Sequence, residues 1–102
     1  SVRRLSLQTP EGEALGDTHV ALKLELGNGR HDVFLARDPE VTSISEMVMA
    51  GEPGVRTDAE ACWLRFDANH RLECGAACRV SRVACGGQEI YSGPSQAFCE
   101  LP

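Results

Sequence analysis

The most regular alternation in the chain runs from Thr18 to Leu26, where Val20, Leu22, Leu24 and Leu26 interleave with His19, Ala21, Lys23 and Glu25. A period of two belongs to an extended strand with one buried and one wet face. The leucine set is therefore expected inside, and His19 with its alternates outside. Gly27-Asn28-Gly29-Arg30 follows, a run rich in residues that tolerate positive φ and so reads as a turn. His31 to Arg37 then predicts the returning strand of a hairpin, with Val33 and Leu35 on one face. At the N-terminus Val2, Leu5 and Leu7 interleave with Arg3, Arg4, Ser6 and Gln8, a further strand pattern.

The pattern loosens from Asp38 to Glu60, where Pro39, Gly51, Pro53 and Gly54 punctuate a stretch with scattered acidic residues. Ser45 to Ala50 fits a short strand or a turn of helix, because Met47, Val48 and Met49 are consecutive and periodicity does not decide. A second hairpin is predicted from Ala61–Asp67 and Leu72–Val80, with Cys62, Leu64 and Phe66 on one face of the first arm. Leu72, Cys74, Ala76, Cys78 and Val80 share a face of the second. Between the arms Asp67 is placed to open a type I turn, with His70 or Asn69 in the left-handed region. If Asp67 faces Arg71, Phe66 pairs with Leu72 and Arg65 with Glu73. Val83–Cys85, Gly86-Gly87 and Gln88–Tyr91 predict a last short hairpin that Gly93-Pro94 ends, and the tail to Pro102 shows no pattern. No segment carries sustained helical amphipathicity. Short strands punctuated by turn signals predict an all-β fold, a small antiparallel sandwich or partly open barrel built from hairpins.

Composition narrows the partners. The 102 residues fit a single domain over 1–102 that can bury its own core. A net charge of −5 offers no pull on nucleic acid or on an anionic membrane surface. The chain opens in a strand pattern without a methionine, so a piece of something longer, or a processed product, is expected.

Candidate chemistry is sparse. The five cysteines, Cys62, Cys74, Cys78, Cys85 and Cys99, cannot form a complete set of internal disulfides. They are expected mostly as reduced, buried small hydrophobes, with one bridge through Cys99 left open. Cys74 and Cys78 are four residues apart on a strand, about 13 Å, whereas zinc ligands converge at about 2.3 Å from one ion; no metal or other cofactor is expected. His19 is placed on a wet face, His31 at a strand start and His70 in a turn, so no nucleophile, base and orienting group converge. Gly27-Asn28-Gly29 and Gly86-Gly87 lie between strands and are turns rather than phosphate cradles. Trp63 alternates out of phase with Cys62, Leu64 and Phe66 and is expected on the opposite face of its sheet. Trp63 and Tyr91 are the candidate contacts to a carbohydrate or to a neighbouring domain, because an aromatic face is both apolar and polarisable.

Two stretches carry a likeness to a known family. One is HVALKLELGNGRHDVFLARD, His19 to Asp38, and the other is DAEACWLRFDANHRLECGAACRVSRVACGGQEIYSG, Asp58 to Gly93. In their order of strands and turns they resemble the C-terminal β-domain of heparinase II/III-like polysaccharide lyases. The likeness departs from that family at His70, where a turn glycine is usual, and in its cysteines. It implies an accessory β-domain without catalytic residues, packed against neighbouring domains of a parent enzyme that cleaves acidic polysaccharide by β-elimination, in the periplasm or outside the cell. A carbohydrate-binding module and an immunoglobulin-like protein-interaction domain are the alternatives.

Overall fold

The computed structural model describes residues 1–41, 45–51 and 53–102. Its strands are Val2–Leu5 (β1), Leu7–Gln8 (β2), His19–Glu25 (β3), His31–Arg37 (β4), Met47–Met49 (β5), Val55–Thr57 (β6), Ala61–Phe66 (β7), Leu72–Cys85 (β8) and Gln88–Leu101 (β9). All pair antiparallel in one nine-stranded sheet of order β1-β3-β4-β7-β8-β6-β5-β2, with β9 on β8. The two ends of this path, β1 and β2, are separated only by Ser6. The sheet therefore comes back on itself into a nearly closed, barrel-like shape, so the all-β expectation holds. Of the loose Asp38–Glu60 stretch, β5 and β6 are strands, while residues 42–44 and 52 lie outside the described residues.

The long strand β8 belongs to two halves. Its first part pairs with β7 and its last part with β6. Between them Arg79 takes φ 50°, and the register against β9 shifts between Val80 and Arg82. Such a bulge bends a strand, and here the bend is held by side chains. Asp58 Oδ1 accepts from the amides of Ser81 at 2.9 Å and Arg82 at 3.0 Å, and the Ser81 hydroxyl donates to Oδ2. The Thr57 hydroxyl donates to the Arg82 carbonyl at 2.7 Å. Inside the bend, Val33, Leu35, Leu64 and Phe66 meet Met47, Met49, Val55 and Val83, all essentially without solvent contact.

Turn chemistry follows the sequence closely. The Asp67 amide donates to the Arg71 carbonyl, the Asp67 carboxylate accepts from the amides of Asn69 and Arg71, and His70 takes φ 62°. Phe66 faces Leu72 as expected, but a bulge then sets Arg65 opposite Cys74 instead of Glu73. Glu73 turns away to form a two-bonded pair with Arg30, at 2.8 and 3.0 Å.

Three further expectations are corrected. On β3 the faces are reversed: His19 and Ala21 are buried, while Val20, Leu22 and Leu24 are half-buried on the outside. The cause is register. Ala21 lies opposite Leu35 and Lys23 opposite Val33, directly opposed residues share a face, and Val33 and Leu35 point into the core. On β8 the two bulges break the single face: Cys74, Ala76 and Cys78 point outward with Trp63, whereas Val80 is fully buried. Finally, Gly93-Pro94 does not end the last hairpin. β9 bulges there, between Ser92 and Gln96, and continues along β8 to Leu101.

Candidate functional site

The strand register builds a continuous outer face on the β1-β3-β4-β7-β8-β9 half. One row across it reads Arg4, Leu22, Phe34, Trp63, Ala76 and Glu100. The next reads Val20, Ala36, Ala61, Cys78 and Phe98. Small residues alternate with large ones, so Ala36, Ala61, Ala76 and Cys78 leave a trough of about 260 Å³ between Phe34 and Trp63. Gly75, opposite the buried Leu64, lies on the inner side of the same strands. A Cβ there would lie 2.5 Å from the Trp63 carbonyl oxygen, so β7 and β8 approach as they do only without a side chain. Phe34 is 41% exposed and Phe98 58%, two of the three large apolar residues most open to solvent among the described residues; Val2, on the same face, is the third.

Except for Glu100 at its β9 end, the charged residues that rim this face are engaged with one another. Arg65 Nε and Nη2 donate to the two Asp32 oxygens at 2.8 and 3.0 Å. That contact holds the buried Asp32 carboxyl below the usual carboxylate range. The Arg65 guanidinium also lies 5.3 Å from the centre of the Trp63 ring, a cation–π contact. Arg79 pairs with Glu60 at 3.1 Å and Arg4 with Asp17 at 3.3 Å. The trough itself is lined almost wholly by carbon and sulfur, so its chemistry is that of an apolar contact.

The two aromatic candidates are not brought together. Trp63 lies at the centre of the outer face, half-buried between Phe34 and Ala76. Tyr91 lies on β9 opposite Val83, packed on the core, and its hydroxyl donates to the Pro94 carbonyl at 2.6 Å. Phe34, Val20 and Leu22 were not singled out by sequence reasoning, because the alternation on β3 put its leucines inside.

Elsewhere Cys62, Cys85, His19 and His31 are withdrawn from solvent, while Cys74 and Cys99 are half-buried. All five cysteines are free. Burial pushes the Cys62 thiol up to about 12 and Cys85 up to about 11, which keeps both protonated and unreactive. His19 and His31 are 98% buried, each with Nε2 lacking a hydrogen-bond partner among the described residues. Burial lowers both, helped by Arg37 near His19 and Lys23 near His31, so both are neutral near pH 7. His31 stacks on Phe66 at 5.3 Å and meets the exposed His70 edge-on at 5.4 Å. Among the described residues no three His, Cys, Asp or Glu side chains gather where they could hold a metal ion.

The fold and this face define a class: an all-β unit, nearly closed, with an apolar outer sheet face. No family model, curated protein or solved structure matches the chain.

Proposed function

We propose that the chain is a non-catalytic accessory β-domain that packs its apolar outer face against a neighbouring domain of its parent polypeptide. The parent in this reading is a heparinase II/III-like lyase that cleaves acidic polysaccharide by β-elimination, the role implied by the resemblance of His19–Asp38 and Asp58–Gly93 to that family's terminal domain. The observation that carries the docking role is the trough between Phe34 and Trp63. An apolar sheet face gains most by packing on another apolar surface, with sheets or helices layered about 10 Å apart. The net charge of −5 fits a unit that does not itself grip a polyanion.

A carbohydrate-binding module would need Trp63 or Tyr91 beside free polar groups, because a sugar ring offers hydroxyls around its apolar face. Here Asp32 and Arg65 bond to each other, the Tyr91 hydroxyl bonds to Pro94, and alanines flank Trp63. Calorimetric titration with neutral and acidic polysaccharides, on the wild-type chain and Trp63→Ala, separates the two readings. The accessory reading expects no heat with any glycan. Binding that Trp63→Ala abolishes without loss of stability would overturn it.

A further inference from the structure

The C-terminal half of β9 is an open sheet edge. Among the described residues the backbone from Gln96 to Leu101 pairs with β8 alone, and Gln96, Ala97, Phe98 and Glu100 are all exposed. In a strand hydrogen-bonded on one side, alternate N–H and C=O groups point away from the sheet, and they are satisfied by another extended chain. Natural edges are usually guarded by Lys, Pro or bulges. The segment Gln96–Leu101 holds no Lys, no Pro and no bulge, and its one charge is Glu100.

The sequence of this edge also names its partner. Pro94 and Pro102, which cannot donate to a ladder, stand at equal distances on either side of Phe98. We propose that β9 pairs antiparallel with β9 of a second copy of this chain, about a two-fold axis through Phe98. In that register every residue from Gln96 to Glu100 has a partner, Ser95 lies opposite Leu101 at the end of the ladder, and each proline falls outside it opposite the other. Phe98 meets Phe98 of the second copy, Ala97 meets Cys99, and Gln96 meets Glu100. The Gln96 amide donates to the Glu100 carboxylate twice per dimer, and no like charges are opposed. Registers centred on Ala97 or on Cys99 each bring a proline into the ladder or shorten it. The isologous pairing is the commonest form of homo-oligomer symmetry. It also sets the two Phe98 rings side by side on the outer face, next to Cys78 of each copy, so the apolar faces become continuous across the pair.

Sedimentation velocity of the full chain across a wide concentration range tests the pairing. The wild type is expected to double its mass reversibly with rising concentration. Phe98→Lys, at an exposed position, is expected to sediment as a monomer with an unchanged melting temperature. Gln96→Glu sets like charges opposite each other at both ends of the ladder and is expected to weaken the dimer roughly tenfold. Gln96→Lys is expected to tighten it, while the same two changes at Gln88, remote from the axis, leave it unmoved. Ala97→Cys under mild disulfide-forming conditions is expected to yield a covalent dimer linked to Cys99 of the other copy, since directly opposed strand residues lie within disulfide reach. A monomer at every concentration overturns the proposal. So does a dimer that survives Phe98→Lys, one in which both Gln96 variants shift the same way, or one lost on Phe34→Ser alone, which would move the contact to the sheet face.

Discussion

The two halves of this sheet share one core and one long strand, yet their outer faces are opposites. On the β3-β4-β7 half the outside carries Val20, Leu22, Phe34, Trp63, Cys78 and Phe98. On the β5-β6 half it carries an ion-pair network: Glu46 meets Arg56 at 2.6 Å and Arg82 at 3.3 Å, and Arg82 meets Glu89 at 2.7 Å. Strand β8 supplies both exteriors and changes character at its bend, from Ala76 and Cys78 to Arg82. The charged half shows that the fold itself asks for nothing apolar on the outside. The hydrophobic side chains of the other half are what the proposed docking contact accounts for.

Because both halves close on the same interior, the largest effect belongs there. Leu64→Ala removes a fully buried side chain beneath the apolar face and is expected to cost about 2–5 kcal/mol. Urea melts followed by Trp63 fluorescence and by far-ultraviolet circular dichroism should shift together. Separate shifts would mean that the halves unfold apart. Asp58→Ala strikes the boundary where the exteriors change. It strips the Ser81 and Arg82 amides of their acceptor and is expected to cost about 1–3 kcal/mol, read as a lower urea midpoint.

Acid should separate the halves. His19 and His31 both belong to the β3–β4 hairpin and are held neutral, below their ordinary value of 6.5. The unfolded chain takes up protons more readily, so their contribution to stability is complete above that pH. It is lost progressively as pH falls from 6.5 toward the lower folded values, by at most about 1.4 kcal/mol for each unit of depression. Hydrogen exchange below pH 6.5 should open β3 and β4 before β5 and β6; uniform opening would contradict this. The smallest effects belong to the surfaces. Phe34→Ser and Arg56→Gln should each change stability by no more than about 0.5 kcal/mol. Only Phe34→Ser should weaken docking to a neighbouring domain, and equal loss from both would erase the contrast.

Strand positions and turns were legible because alternation and turn chemistry are local. The Asp67–Arg71 turn and the outward placing of Trp63 follow from a handful of residues. Which face of β3 is inside was misread from alternation, since its apolar set Val20, Leu22 and Leu24 faces outward while His19, Ala21 and Lys23 face the core. The signal lay in the hairpin: closing the Leu26–Arg30 turn sets Glu25 against His31, and so Ala21 against Leu35. The outward turn of Cys74 and Cys78 was hidden because bulges at Phe66/Leu72 and at Arg79 shift the pleat by one residue. The second half of β9 was hidden by Gly93-Pro94, which reads as a stop but is accommodated on an edge strand. Most of the apolar face was therefore assigned to the interior, and only Trp63 marked the site.

Cys78 lines the trough beside Trp63 and reports on it directly. The decisive measurement is its rate of maleimide labelling, by mass spectrometry, in the 102-residue chain alone and in the intact parent protein that the accessory-domain reading proposes, with buried Cys62 as the internal reference. A docked outer face predicts Cys78 labelled well ahead of Cys62 in the chain alone, and protected to the level of Cys62 in the intact protein. Equal, rapid labelling of Cys78 in both would leave the apolar face uncovered and contradict the account.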